Sequence, residues 1–398
     1  MWQFFTNPFV LMAQTALSNK SIPTKIIPIV IPPRPFPGLS SQLLPFFKFA
    51  RYIARCPIKF KTIFLNICLY ISILKYGDIV THDLFLGEDA WPPPNPISAE
   101  MKNRIGGFIY GLIWSFAPVT ALVVSIDYTL AFLKAPELAK WLNNWNLIED
   151  EMLQLGFNRD KIKITTFSRY FIPLFEFVPS VILGSLELIW IFDIRYPIHC
   201  VISIIYAYVP TLCYSVEDSK ALLMLKCLQV GFLQVRNHLE KSLNIDRGQI
   251  PVRNLHLFLI KLRLQAKQCG DYLATQQLVS ILMTMYTTAA SCFLFVAVLS
   301  DHSLGDTTEE LLTMAFASTW PFFGISRLYV KVWMGVRVTN EEKEIASLIK
   351  LETLKEEIFG TEYSNELREI YKLLTNHPTE VSFNNYVKLN NPLILGVR

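Results

Sequence analysis

Charge is what this sequence has least of. Only 18% of its 398 residues are Asp, Glu, Lys or Arg, against about 25% in ordinary soluble domains, while 52% are hydrophobic and mean hydropathy is +0.33. So little charge cannot clothe a globule of this size in solvated side chains, which argues against a soluble enzyme. Catalytic signatures are missing too. The six histidines, at 82, 199, 238, 256, 302 and 377, form no HxxxH or HExxH spacing, and neither a Gly-rich phosphate loop nor a GxSxG is present. The seven cysteines, at 56, 68, 200, 213, 227, 269 and 292, contain no CxxC, so zinc and redox patterns are absent as well. No catalytic residue, metal or cofactor is expected.

The apolar residues are concentrated in windows. Stretches at 105–126, 170–192, 198–216, 278–299 and 311–330 are long and clean enough to cross roughly 30 Å of hydrocarbon as helices. A sixth, 62–80, is weaker, because its apolar part stops at Leu74 and Lys75 and Asp78 must snorkel. Trp190, Phe192, Tyr329 and Trp333 fall near span ends, where amphipathic rings prefer to sit. The sequence therefore predicts an all-α polytopic membrane bundle of six spans, flanked by a basic segment 1–61 and a helical tail 331–398. The stretch 2–18 has no leading positive charge and is followed by a Pro-rich segment, so no cleaved signal peptide is expected.

Basic residues set the orientation. Residues 1–61 hold eight basic and no acidic residues, which keeps that end in the cytosol. By alternation the outer loops are 81–104, 193–197 and 300–310, with three basic residues, Lys102, Arg104 and Arg195; the inner segments 127–169, 217–277 and 331–398 carry six, nine and nine. Both ends are predicted inside a plasma-membrane protein. The net charge of +4 reflects this bias, so no nucleic-acid partner is expected. No cysteine falls in an outer loop, so no disulfide is expected. The sequon at Asn19 lies on the inner side and should go unused.

Between spans four and five, Leu225, Leu228, Phe232, Val235 and Leu239 recur every three or four residues, as do Leu255, Leu259, Leu262, Ala266, Cys269 and Leu273. These heptad-like stripes predict that both spans continue below the bilayer as amphipathic helices packed in a hairpin. Residues 340–359 read as a further charged helix stopped by Gly360, followed by a last helical stretch at 365–374.

The architecture resembles the arthropod gustatory receptors, members of the insect chemoreceptor superfamily that also holds the odorant receptors. The stretch 138–156, with Trp141, Leu142, Leu147, Glu149, Glu151 and Leu153, looks like the family's second inner loop. The segment 370–394 is similar to the family's C-terminal motif through Val381, Phe383, Tyr386, Leu389, Asn390 and Leu393, although Val381 stands where Phe is usual and Asn385 where Gly is usual. The resemblance implies a receptor for small organic tastants or odorants that acts as a ligand-gated cation channel, a homo- or hetero-tetramer with related subunits. It also implies a seventh helix with Thr-Tyr and, five residues later, Gln-Phe. This sequence ends at Arg398 without it, and a truncated chain is the expectation.

Under that topology the outer halves of spans two to six offer Tyr110, Trp114, Glu187, Trp190, His199, Tyr206, Phe316 and Trp320 as a ligand pocket, aromatic with a few polar groups. Glu176 and Glu187, eleven residues apart, share one face of span three. Glu176 is expected to tie span three to a neighbour, and Arg327 to snorkel. Thr284, Thr287, Thr288 and Ser291 form a hydroxyl stripe expected to pack against another helix. A secondary transporter or an orphan polytopic membrane protein are the alternatives. A G-protein-coupled receptor would need its N-terminus outside and motifs not found here.

Overall fold

Long helices dominate because three apolar spans run without a break into amphipathic sequence. The computed structural model describes residues 46, 119–157, 164–191, 197–245, 252–300, 307–356 and 362–389, apart from 121, 128, 132, 165, 377, 380 and 384–386. Predicted span one and most of span two lie outside these residues. Helix α1, Ala135–Gln154, starts with a proline in its first turn, where the missing N–H costs nothing, and carries Glu137 there to suit the helix dipole. It ends at Gly156, whose φ of 77° only glycine adopts freely.

Span three is built in pieces. Two π-helical turns, Phe167–Phe171 and Pro173–Phe177, lead into α2, Val178–Ile191. Pro173 and Pro179 explain the opening: each lacks the N–H that would close an i to i−4 bond, and the ladder widens around them.

Three helices follow, α3 (Pro197–Ile245, 49 residues), α4 (Val252–Ser300, 49 residues) and α5 (Thr307–Glu356, 50 residues). At 1.5 Å per residue each is roughly 75 Å long, about two and a half times what the hydrocarbon requires. The predicted spans 198–216, 278–299 and 311–330 form one end of each helix and the amphipathic stripes form the other. Leu225, Leu228, Phe232, Val235 and Leu239 on α3, and Leu255, Leu259, Leu262, Ala266, Cys269 and Leu273 on α4, are all no more than 2% exposed. They join Trp141, Trp145, Ile148 and Met152 of α1 and Val338, Ile345 and Ile349 of α5 in one core. The charged stretch after span six is not a separate helix; it prolongs α5.

At the other end the surface is greasy instead. Leu282, Met285, Phe293 and Val296 of α4 and Phe322, Ile325 and Tyr329 of α5 are each more than half exposed. The run Asn254–Val296 contains a window of mean hydropathy 1.7 of which only 28% is buried inside the chain. A soluble protein's core helix would be covered, whereas these side chains are left for lipid.

Helix α6, Glu362–Asn376, precedes a small antiparallel hairpin, β1 (Ser382–Phe383) and β2 (Val387–Lys388), paired Ser382 to Lys388 and Phe383 to Val387. Val381, Phe383 and Leu389 of the family-like motif are buried at 3% exposure or less; Tyr386, Asn390 and Leu393 lie outside the described residues. The hairpin lies on backbone. A methyl group on Gly270 of α4 would collide with Ser382 O, and one on Gly335 of α5 would sit 2.6 Å from Leu389 Cβ. Glu342 of α5, 1% exposed, receives both the N–H and the hydroxyl of Thr379. Arg263 of α4 closes the clamp, 3.1 Å from Glu342 and donating to Leu373 O at the end of α6.

Candidate functional site

Between the greasy half and the packed half of the bundle, span three meets α3, α4 and α5 around a buried set of charges. The π-helical turn Pro173–Phe177 carries Glu176, fully buried. Its carboxylate lies 3.2 Å from Arg327 Nε of α5, at ion-pair distance but without a directed hydrogen bond, and neither carboxylate oxygen meets a hydrogen-bond donor among the described residues. The other edge of the guanidinium donates to Ser180 (2.6 Å), Ser215 (2.9 Å) and Glu176 O (3.5 Å). The two serines also touch each other. Arg327 thus joins span three to α3 through one planar group, a task for which its fixed fork of donors suits it.

One turn farther along α5, Lys331 repeats the pattern. Its ammonium, 3% exposed, contacts Asp218 of α3 at 2.6 Å and Gln277 and Ser280 of α4 at 2.8 and 3.5 Å. Three donors meet three acceptors on two helices. A third layer pairs Lys220 with Glu217 at 2.7 Å and sets Lys220 near the hydroxyl of Tyr272 at 3.4 Å. In these contacts three cations face three carboxylates. The cluster contains no nucleophile aligned with a base; its chemistry is to hold four helices in register. Burying charge in this way adds little net stability but makes loss of any one partner expensive.

As a carboxyl deep in a span, Glu176 is expected to tie span three to a neighbour, and it pairs with Arg327 of α5. Arg327 does not snorkel: its side chain turns inward because Glu176, Ser180 and Ser215 satisfy it more fully than the membrane edge could. Asp218, Lys331, Glu217 and Lys220 went unread as a group. The available signal was depth, since each lies a residue or a turn from the inner end of a predicted span, with its opposite charge one turn away on α3 for Glu217 and Lys220 and on another helix for Asp218 and Lys331.

Farther outward, α2 and α3 are tied by Ser185 and Tyr208 at 2.8 Å. Helices α4 and α5 touch where Gly324 faces Thr284, whose methyl group would lie 2.7 Å from an added Cβ, so the hydroxyl stripe begins as a packing face. Thr287 spends its hydroxyl on the Met283 and Thr284 carbonyls of its own helix. Ser291, 1% exposed, and Thr288 have hydroxyls with no hydrogen-bond partner among the described residues. Just before Pro321, Ser318 and Thr319 donate to the Met314 and Ala315 carbonyls of the preceding turn, so their hydroxyls are satisfied within their own helix.

Of the predicted pocket, Tyr110 and Trp114 lie outside the described residues. Glu187 and Trp190 fall on α2, His199 and Tyr206 on α3, and Phe316 on α5, but their side chains are not described. Trp320 is half-buried on α5. The helices that bear these positions are neighbours, α2 packing on α3 and both on α5.

No protein-family model matches this sequence, and no curated protein matches it. The fold does match solved structures. It is similar to the insect olfactory receptor OR5 from Machilis hrabei, with a TM-score of 0.61 and 13% sequence identity over 90% of this chain and 96% of that one. The same receptor in complex with eugenol gives a TM-score of 0.61 at 12% identity, with the same shares covered. At this level of identity the likeness establishes a shared fold.

Proposed function

We propose that this chain is a chemosensory receptor of the plasma membrane that binds small organic molecules from outside, with its N-terminus in the cytosol. The observation that carries the reading is the insect olfactory receptor fold along 90% of the chain. The neighbour's complex with eugenol supports a small, mostly apolar, aromatic-sized ligand. On this reading, supported by the sequence resemblance, the receptor is gustatory and works as a ligand-gated cation channel in a tetramer with related subunits.

The ligand would sit among the outer halves of spans two to six, near Tyr110, Trp114, Glu187, Trp190, His199, Tyr206, Phe316 and Trp320. The unpartnered hydroxyls of Ser291 and Thr288 add polar groups on the same outer half of α4. A buried hydroxyl without a partner is costly, and a ligand oxygen would relieve it. The charge cluster lies directly inward of this region, so displacement of the outer helices is passed to the cytosolic bundle through Glu176, Arg327 and Lys331.

The test is ligand binding by purified receptor in lipid nanodiscs, read as a rise in melting temperature against a panel of small aromatic and terpenoid compounds. At least one compound should stabilise the wild type saturably. The Glu187→Ala, Trp190→Ala, Trp320→Ala triple variant should lose that rise while reaching the cell surface normally. An unchanged dose response in the triple variant rules out this pocket.

A further inference from the structure

Helix α5 presents one continuous stripe to its surroundings: Phe322 (66% exposed), Ile325 (54%), Tyr329 (53%) and Trp333 (36%), spaced by three or four residues. The next position on that stripe is Arg337. Its order, aliphatic and aromatic, then Trp, then Arg, is that of a helix leaving hydrocarbon through the headgroup layer on the basic side of a membrane. The Arg337 guanidinium stacks 3.9 Å from the Trp333 ring centroid. Stacking holds the plane of the cation but leaves its edge donors free. No acceptor among the described residues takes them.

A second cation joins it. Lys226 of α3 reaches up over the Phe167 ring at 5.6 Å, where Phe167, Phe171 and Phe175 stack at 4.8 and 5.3 Å along the inner end of span three. It donates to Gln229 at 2.8 Å and has no carboxylate at ion-pair distance among the described residues. Burial first, and the nearby Arg337 charge second, hold its ammonium below the ordinary lysine value. The carboxylate that both cations sense, Glu341, also meets Arg236 at 2.7 Å, which in turn meets Glu344 at 2.5 Å. Neither cation has a carboxylate of its own at ion-pair distance among the described residues, and each lies on an aromatic platform at the inner end of the apolar stretch.

We propose that Lys226, Arg337 and Trp333 form a binding site for the phosphate of an anionic phospholipid headgroup in the inner leaflet. The guanidinium edge takes two phosphate oxygens, Lys226 adds a point charge, and the acyl chains run outward along Tyr329, Ile325 and Phe322. Charge-assisted bonds to phosphate relieve the repulsion between the two cations. This site rests on the membrane reading of α5 and not on the ligand or the channel.

Native mass spectrometry of the wild-type protein, released from mixed phosphatidylcholine and phosphatidylserine membranes, should find phosphatidylserine retained in excess over its bulk share. The enrichment should be on the order of fivefold for each cation, the usual worth of a basic side chain at an anionic surface. The Lys226→Gln, Arg337→Gln double variant should lose it while melting normally in phosphatidylcholine alone. No enrichment in the wild type overturns the site, as does enrichment that survives in a folded double variant. If the double variant does not fold, Arg337→Lys serves: it keeps the charge but not the fork, and full wild-type retention contradicts the guanidinium's role. Inorganic phosphate at equal charge should not displace the lipid; displacement would assign the site to free phosphate instead.

Discussion

Arg327 is the residue on which the buried cluster turns. It bonds to span three and to α3 at once, and its removal leaves Glu176 in a fully enclosed position without its ion-pair partner. Arg327→Met should lower stability by about 3–5 kcal/mol, the usual cost of stranding a buried charge, read as a fall in the denaturation midpoint in detergent. Adding Glu176→Gln should recover most of that loss, since an amide needs no countercharge. If the double variant is no better than the single, the pair is not coupled and the cluster is misread. His238 supplies a second residue-scale test. Burial, then the charge of Lys241, push its imidazole below the ordinary value of 6.5, where it packs edge-on against Phe157 at 4.6 Å. Because the folded state binds this proton less well than the unfolded chain, stability should be present above pH 6.5 and decline as pH falls through that value. His238→Gln should flatten this part of the pH profile; an equally steep profile in that variant would remove His238 from the account.

At the scale of elements, the long helices divide their labour along their length. The lower halves of α3 and α4 are held by ordinary core packing, so Leu228→Ala or Leu262→Ala should each cost about 2–5 kcal/mol, visible as a lower melting temperature. Gly270→Ala tests a different contact. The added methyl meets the backbone of Ser382 rather than a flexible side chain, so the hairpin must lift from α4, and protease cleavage between 378 and 389 should quicken in the folded protein. Cleavage as slow as in the wild type would mean that the hairpin does not dock there. These elements also show what a sequence can disclose. The stripes from Leu225 to Leu239 and from Leu255 to Leu273 were legible because helical packing has a period that side chains must obey. The π turns of span three were not, since Pro173 and Pro179 announce a broken ladder without saying how it is repaired. Nor was the continuity of α5, because a change from apolar to charged composition reads as a boundary even when the backbone passes straight through it.

For the whole molecule, the membrane reading rests on greasy surfaces at one end of the long helices, and the proposed sidedness on the bias of basic residues. A glycosylation acceptor placed in 300–310 should be modified in cells, while Asn19 stays unmodified; a glycan at Asn19 would invert the topology and with it the inner-leaflet position of Arg337. The pairing of Glu176 with Arg327, and of Asp218 with Lys331, escapes any one-dimensional reading, because partners more than a hundred residues apart are matched only by depth in the bundle. The fold was nearer the surface of the sequence than the site was, since span lengths and charge bias are local properties and the site is assembled from four helices.

The central claim is that this fold binds a small organic molecule and responds by passing cations. The direct measurement is a voltage-clamp recording from cells expressing the chain, alone and together with a related receptor subunit, during application of the compound that stabilises the purified protein. The account predicts a dose-dependent cation current that is lost in the Glu187→Ala, Trp190→Ala, Trp320→Ala variant. Uptake of the compound into those cells without any current would contradict it and identify a transporter.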